Sequence, residues 1–463
     1  MKTEGHRSLA ETWVDAFPAF ASALGDPPWR QTLREEALAC FAELGLPHPK
    51  LEAWRSTRLG ALERMMPPAP SGHEPDPESL LASGRRVLAQ SPLPEGFGPR
   101  ALFVDGHFCP ALSTFSADES GVRFQAFGRA TDSGGEESVR PPGFGELASP
   151  KQEAFTALNA AFAQGGGVLD IRPDYRTTEP IHLIFICSGS APMACPRLLV
   201  RAGKGSRATL VMDFLSEDNG EGRGRGLVNE VSEIFVEENA NLDCIVLERE
   251  GTETLHIGNL QVLQKRDSCF RIHTLSLGGA LVRNSLGVTL ADTGAEVDLR
   301  GLYVGSGSQH VDNHTRVDHA MPHTTSRQVY KGILGERARG VFRGLVHVRP
   351  DAQKIDSSQS NMNLLLSDQA RVDARPQLEI HADDVKCSHG STTGKLDEEA
   401  LFYLRSRGLS EAEGRRLLTR GFVAEICEAL PGETLTRFAH DLVMDALSDC
   451  TGDETDSETG GHR

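Results

Sequence analysis

The spacing of apolar residues changes twice along this chain, and these changes divide it into three parts. From about Leu9 to Met66, apolar residues recur at intervals of three and four, which is the repeat of a helix with one buried face. The clearest run has five members: Leu33, Ala37, Cys40, Phe41 and Leu44. Gly45 and Pro47 follow this run and predict the end of its helix. Residues 1–66 are therefore predicted to form an N-terminal helical segment.

Between about Pro180 and Ser388 the pattern becomes a succession of short apolar runs rich in branched and aromatic residues. Examples are IHLIFIC (181–187), PRLLVRA (196–202), ATLVMDF (208–214) and LDCIVLE (242–248). Gly, Asn or Asp separates many of these runs, as is typical between strands. We expect residues 180–390 to form a core made mainly of β-strands, with no long helix.

The stretch between these two parts gives no clear pattern. Segments 67–77 and 131–150 are rich in Pro, Gly and Ser, which is typical of linkers and loops. Residues 67–179 are therefore predicted to be a linker or mixed region.

A short motif occurs three times within the β-rich part and forms a weak internal repeat. The motif Ala-x-(Leu/Val)-Asp begins at Ala240, Ala295 and Ala370, at intervals of 55 and 75 residues. A strict solenoid would repeat at a fixed interval. The unequal spacing of this motif therefore favours an irregular β-helix with rungs of unequal length. An ordinary β-sandwich or jelly roll is equally compatible with the patterning alone.

Helical spacing returns from Leu396. Gly408 and the pair Pro431-Gly432 divide this part into three predicted helices, and Ser410-Glu-Ala-Glu413 has the form of a capping box. Residues 391–447 are predicted to be a C-terminal helical segment. Residues 448–463 are acidic and polar, which predicts a disordered tail.

Charge and cysteine content narrow the function classes. The net charge is −17, which argues against binding to nucleic acid or to anionic membranes. No segment approaches the roughly 20 apolar residues of a membrane span, and the start MKTEGHRSLAETW lacks the apolar region of a signal peptide. We therefore expect a cytoplasmic protein whose nine cysteines are reduced. Their spacing matches no zinc or ferredoxin pattern, so most are expected to be small buried apolar residues.

Several motifs carry a resemblance to a known family. They are the string KCSHG (386–390) with the sequence that follows it to Gly408, the segment 310–331, GVFRG (340–344), DSSQSNMNLLL (356–366) and the Pro-x-x-x-x-Glu-x-Trp element near 46–57. In these motifs the chain resembles the SufB/SufD family of iron–sulfur cluster assembly proteins, and KCSHG is similar to its SufD-type members. The resemblance is strong from about residue 270 to 430 and weak between 65 and 170.

This resemblance implies a right-handed parallel β-helix core flanked by N-terminal and C-terminal α-helical segments. It implies a non-catalytic scaffold subunit of the SUF system, in a complex of one SufD-type chain, one SufB-like subunit and two copies of the SufC ATPase. SufC would dock on the C-terminal helices of this chain. The resemblance implies that this chain is not an enzyme and that ATP hydrolysis belongs to SufC, and the chain agrees in having no GxxxxGK(S/T) phosphate loop. No tightly bound cofactor is implied. A transient iron–sulfur cluster at the SufB interface, a reduced flavin on the complex and a homodimer of the isolated chain stay open.

Cys387 and His389 are the candidate residues for that interface. On a strand they would share one face, since alternate side chains point the same way, and thiolate and imidazole both ligate iron–sulfur clusters. The adjacent Lys386 would favour the thiolate of Cys387 through its charge. The resemblance adds that His389 faces a cysteine of SufB and takes part in binding a nascent cluster. The alternative is a packed Cys387 and an ordinary interface hydrogen bond from His389.

Two further sets of residues each allow two interpretations. His310, His314, His319 and His323 have a spacing that would suit a ligand stripe on a helix, but the Asp, Asn and Pro among them predict a solvated connection between rungs. The apolar residues of the C-terminal helices are either core or a face that receives SufC. The candidates for this face are Leu401, Phe402, Leu417, Leu418, Phe422 and Ile426.

Two other functions compete with the scaffold. A purely structural adaptor would bind the ATPase without touching metal. A carbohydrate-active enzyme on a β-helix would need paired carboxylates on one face, and such enzymes are usually secreted.

Overall fold

A computed structural model describes residues 8–65, 75–91, 97–115, 121–127, 139–189, 193–217 and 226–451. The first part is helical, as predicted. It contains α1 (Leu9–Leu24), α2 (Pro28–Leu44), a 3₁₀ turn (Glu52–Trp54) and α3 (Gly60–Met65). Ser8 begins α1 with a reciprocal capping box to Glu11. Gly45 ends α2 at a φ of +62°, a conformation that glycine adopts without strain.

The mixed region assigned to 67–179 contains regular structure. Its elements are α4 (Pro77–Gln90), β1 (Arg100–Val104), β2 (His107–Phe108), β3 (Val122–Ala126), α5 (Ala154–Phe162) and β4 (Gly165–Ile171). The β core therefore begins at Arg100 rather than at residue 180. Two- and five-residue strands give too short a pattern for sequence periodicity to register. Most of the predicted linker at 67–77, and much of the one at 131–150, lie outside the described residues.

The remaining strands follow one another with short turns. They are β5 (Ile181–Cys187), β6 (Met193–Ala194), β7 (Pro196–Ala202), β8 (Arg207–Ser216), β9 (Gly226–Val236), β10 (Asn241–Glu248), β11 (Thr254–Gln264), β12 (Cys269–Ser276), β13 (Leu281–Leu290), β14 (Glu296–Gly305), β15 (His310–His319), β16 (Thr325–Leu334), β17 (Arg339–Val348), β18 (Ile355–Leu365), β19 (Arg371–Ile380) and β20 (Val385–Gly394).

These strands form a parallel β-solenoid. From β7 onward the chain alternates between two sheets, so that each rung adds one strand to each. Neighbours such as β12 and β14 pair in parallel, while antiparallel pairs occur at the start, between β1 and β2 and between β3 and β4. The predicted β-helix is confirmed, and the sandwich and jelly roll are excluded because their sheets are largely antiparallel.

The strand register also explains why the three copies of the Ala-x-(Leu/Val)-Asp motif are unequally spaced in the sequence. Asp243 aligns with Arg271, and Arg271 aligns with Asp298, so the first two copies of the motif stand two rungs apart in one sheet. The third copy, at Ala370, precedes β19 in the other sheet. The intervals differ because the copies do not share a sheet.

Helices cover the outer faces of both sheets. The N-terminal helices pack against Leu227, Leu255 and Leu281 of one sheet. The C-terminal helices are α6 (Glu398–Ser406), α7 (Glu411–Glu428) and α8 (Glu433–Thr451), and they pack against outward residues of the other sheet such as Ile245 and Leu275. Because α8 runs to Thr451, the predicted tail cannot start at residue 448. Its remainder, 452–463, lies outside the described residues.

Two further findings concern the whole described chain. Among the described residues, no helix is both long and apolar enough to cross a membrane. Within the part of the chain that the structure describes, none of the nine cysteines forms a disulfide, and six of them are buried, which confirms that most pack as apolar residues.

Candidate functional site at the open end of the solenoid

The last strand of each sheet has one free backbone edge within the described part of the chain. β20 pairs only with β18 and β19 pairs only with β17. Each strand has 10 residues, so two long rows of backbone groups have no strand beside them. We name this region, formed by β19 and β20, the open end.

Cys387 and His389 both lie on β20, as the sequence predicted. Cys387 packs against the buried cluster that contains Val346 and Val348, and its register partner Ser357 is buried, so it lies on the inward face of the strand. His389 is two residues further on the same face and is exposed. The two side chains therefore stand at the mouth of the solenoid interior.

A column of hydroxyl groups leads through the interior to Cys387. Ser326, Ser357 and Cys387 are successive register partners on β16, β18 and β20. The two serine Oγ atoms are 2.8 Å apart, and His319 Nε2 lies 2.9 Å from Ser326 Oγ. The two serines are hydrogen-bonded, and the thiol occupies the next register position in the same row, which we name the hydroxyl column.

A second column, made of amides, leads to His389. Gln328, Gln359 and His389 are successive register partners on the same three strands. Gln359 Nε2 donates to Gln328 Oε1 at 3.0 Å, and the Thr315 hydroxyl donates to that oxygen at 2.8 Å. Both candidate residues thus end interior columns of polar side chains, and the second we name the amide column.

The electrostatics at Cys387 differ from the expectation. Partial burial raises the pKa of the Cys387 thiol, and the nearby charge of Asp356 raises it further. Lys386 is exposed and on the opposite face of the strand, and it is not among the causes of the shift. The prediction that Lys386 favours the thiolate is therefore wrong for the isolated chain, in which the neutral thiol is stabilised.

The histidine cluster is also placed differently from the expectation. His310 to His319 form strand β15, not a solvated connection. His319 points inward and is buried, whereas His323 lies in the turn after the strand at a φ of +60°. Within the described residues, no three His, Cys, Asp or Glu side chains are arranged to hold a metal ion. The Asp and Asn residues suggested a turn because sequence alone does not show which polar side chains a strand buries.

Within the described residues, the outward-facing side chains of β15 form no metal-binding group but bind the N-terminal helical segment through hydrogen bonds. Asp312 forms an ion pair with Arg283, accepts from the Thr57 hydroxyl at 2.5 Å and lies 2.9 Å from His314 Nε2. The Arg283 guanidinium also stacks over Trp54, 3.8 Å from its ring centre. Burial favours the neutral carboxyl of Asp312, but the charge of Arg283 outweighs it and holds its pKa well below the usual range.

A buried ionic cluster lies deeper in the interior, and the sequence reasoning missed it. Glu230, Glu248, Glu250 and His256 are each at most 5% exposed. His256 Nδ1 lies 2.7 Å from Glu250 Oε1 and its Nε2 lies 3.8 Å from Glu248 Oε1. The two strands that carry Glu230 and His256 are buried on both faces, so no alternation marks these residues as inward.

Burial sets the direction of the pKa shift at Glu230, whereas neighbouring charges set it at His256. It raises the pKa of Glu230 to about 7 against the opposing hydrogen bond from Ser232. Burial lowers the pKa of His256, but the carboxylates of Glu250 and Glu248 outweigh it and raise the pKa to about 9. A cavity of about 30 Å³ adjoins the cluster, which is room for one or two waters.

The structure separates the six apolar residues proposed for partner docking. Leu401 and Ile426 are buried against the chain itself, so they belong to the core and not to a docking face. Leu418 and Phe422 are half-buried against the same core. Phe402 is 74% exposed and Leu417 is 49% exposed, so these two stay candidates. Lys331 anchors α7, the helix that carries Leu417, by donating to Phe422 O at 2.9 Å.

Comparison with known proteins agrees with the motifs. Residues 185–422 match the family model described as SUF system FeS cluster assembly, SufBD core domain. The chain is 31% identical over 411 residues to the iron–sulfur cluster assembly protein SufD of Escherichia coli, covering 88% of this chain and 90% of the relative. It is 30% identical to an iron–sulfur cluster assembly SufBD family protein of Synechocystis, covering 86% and 87% of the two chains. It is also 24% identical to SufD of Bacillus subtilis, over 90% of this chain and 93% of the relative.

Proposed function

The chain belongs to the SufBD family and is a SufD-like protein of iron–sulfur cluster assembly, and from this premise we propose that it is a non-catalytic scaffold subunit that pairs with a SufB-like subunit and binds a SufC-like ATPase. The pairing uses the open end, and Cys387 and His389 contribute to a transient cluster site at the interface. The ATPase docks on the C-terminal helices. No tightly bound cofactor is part of this proposal.

The free edges of β19 and β20 carry the proposal. Exposed strand edges of this length pair readily with another chain, and a second solenoid that docks there would continue both sheets. Ile380, at the end of β19, is 38% exposed although it lies on the inward face of its strand. Pairing would bury this side chain and satisfy the backbone groups of both edges.

The position of Cys387 and His389 at the mouth supports a shared cluster site. A scaffold must bind a cluster and then release it, which favours ligands divided between two subunits over a closed set on one. One thiol and one imidazole are too few to hold a cluster alone, so the partner would supply the other ligands. Contact with a partner's cationic or metal group would also lower the raised pKa of the Cys387 thiol.

The cluster role is tested by anaerobic reconstitution of the co-expressed complex with SufB-like and SufC-like proteins. We expect His389→Ala to lose cluster loading, followed by visible absorption, while size-exclusion chromatography shows an intact complex. His381→Ala is the matched control, because His381 is an exposed histidine after β19 at the same end. Normal loading by His389→Ala in an intact complex would leave the chain as a purely structural adaptor.

The pairing is tested separately with Ile380→Glu. This change places a charge where the partner's core would cover it, so we expect loss of the heterodimer. The isolated chain should keep its melting temperature, because the side chain is already partly exposed. Leu51→Glu is the control, since Leu51 is 54% exposed on the N-terminal segment. A heterodimer that survives Ile380→Glu would refute pairing through the open end, and a homodimer that it breaks would identify a second copy as the occupant.

A further inference from the structure

In the amide column, the side-chain amide of Gln359 donates toward the preceding rung. The Oε1 atom of Gln328 accepts from the Thr315 hydroxyl and from Gln359 Nε2. The Gln359 amino group therefore faces the preceding rung, and the planar amide directs Gln359 Oε1 away from it. The next rung in that direction is β20, where the register partner of Gln359 is His389.

Gln359 Oε1 is a buried acceptor without a hydrogen bond within the described chain. The side chain is only 3% exposed, so solvent does not satisfy this oxygen. An unsatisfied buried acceptor is destabilising by roughly 1–3 kcal/mol, and amide ladders in parallel sheets avoid this because each oxygen accepts from the next rung. On the next rung, β20, the side chain at the register position of Gln359 is the imidazole of His389, whose ring N–H can donate.

The opposite sheet leaves space for this amide. A Cβ atom at Gly344 would lie 2.1 Å from Gln359 Nε2, closer than any side chain could approach. Glycine at this position of β17 therefore permits the orientation of the Gln359 side chain. Residues of two strands, β17 and β18, therefore determine this orientation.

We propose that Gln359 is a positioning residue: in the assembled complex its Oε1, which has no hydrogen bond within the described residues of the isolated chain, accepts from one ring nitrogen of His389 and so fixes the tautomer and direction of the imidazole. The other ring nitrogen then keeps its lone pair and faces out of the open end, toward the partner. Histidines that ligate metals commonly have their second nitrogen held in this way. This inference rests on the proposed role of His389 and adds the residue through which the interior of the solenoid controls it.

The test is a double-mutant cycle in the co-expressed complex. Gln359→Leu keeps a branched side chain of similar bulk, although one carbon shorter, and removes the acceptor, so we expect the affinity for the reconstituted cluster to fall roughly 10-fold. Gln359→Glu keeps an acceptor oxygen and should retain loading within about 3-fold. In a His389→Ala background, Gln359→Leu should cause no further loss, because the residue acts through His389.

The outcomes separate the two hypotheses. If His389→Ala lowers loading but Gln359→Leu does not, Gln359 has no positioning role while the scaffold proposal stands. If His389→Ala has no effect, the proposed cluster role fails first. An equal loss from Gln359→Leu with and without His389 would show a general structural effect and overturn the inference. If Gln359→Leu does not fold, loss of loading by a folded Gln359→Glu variant would overturn it as well.

Discussion

The buried cluster gives a prediction whose size follows from the structure. The pKa of Glu230 rises from an ordinary value of 4.5 to about 7 in the folded chain because the side chain is buried. Between these two values the folded state binds a proton that the unfolded state has released. Stability therefore falls as the pH rises from about 4.5 to 7. At about 1.4 kcal/mol for each pH unit of difference, ionised Glu230 lowers the free energy of unfolding by about 3 kcal/mol above pH 7.

Glu230→Gln removes this ionisation and keeps a polar side chain of the same shape beside Ser232. We expect the variant to be about as stable as the wild type at pH 4.5 and more stable by up to about 3 kcal/mol at pH 8. The assay is urea unfolding at constant ionic strength, followed by far-ultraviolet circular dichroism, which reports the solenoid. Differences between the two proteins are compared at each pH, so that other titrating groups cancel.

Glu237→Gln is the control, because Glu237 follows the same strand but is exposed. It removes the same charge and should give no pH-dependent difference. The reasoning would be refuted if Glu230→Gln and the wild type differed by the same amount at pH 4.5 and pH 8. That result would mean that Glu230 stays ionised in the folded chain across this range, so that the neighbouring charge of His256 outweighs burial.

Three further predictions concern other parts of the molecule. Asp312→Asn should leave a buried arginine uncompensated, at a loss of roughly 3 kcal/mol, and hydrogen exchange should show faster opening of α1 and α2 while the solenoid strands stay protected. Phe402→Glu should abolish capture of the SufC-like ATPase in a pull-down without lowering the melting temperature, whereas Leu44→Glu, at a position 45% exposed on α2, should leave capture intact. Alkylation of Cys387, followed by peptide mass spectrometry, should have its midpoint above the ordinary cysteine value of about 8.5. Asp356→Asn should lower this midpoint because it removes a negative charge beside the thiol, and an unchanged midpoint would contradict the assigned cause.

Sequence patterns predicted the helices and strands that are long enough to show a hydrophobic repeat. The helices near Leu33 and Leu417 were visible because an amphipathic repeat accumulates over several turns. Many strands between residues 181 and 380 were visible because of their composition and the turns between them, but the seven-residue β4 and the ten-residue β15 were not predicted as strands. The strand β1 and the pair Glu230 and Glu248 were missed, since neither a five-residue strand nor one buried on both faces has a distinctive repeat.

The candidate site was predicted in identity but not in its surroundings. The KCSHG motif identified Cys387 and His389, and a strand period of two placed them on one face. The columns that end at these residues join positions about 30 apart in the chain, such as Ser326 and Ser357, which are separated by 31. Rungs of unequal length give these separations no constant value, so no sequence period reveals them.

By itself, the sequence determined the order of helical and β-rich parts, the strand that carries the two candidate residues, and the family. Tertiary structure alone decided which polar residues point inward, because each strand in a solenoid can present either face to the interior until its neighbours fix the register. It decided that His319 is buried, that Leu401 belongs to the core, and that Gln359 lies beneath His389. The physical reason is that these properties depend on stacking between rungs distant in the chain, whereas helix and strand periods depend on side chains a few residues apart.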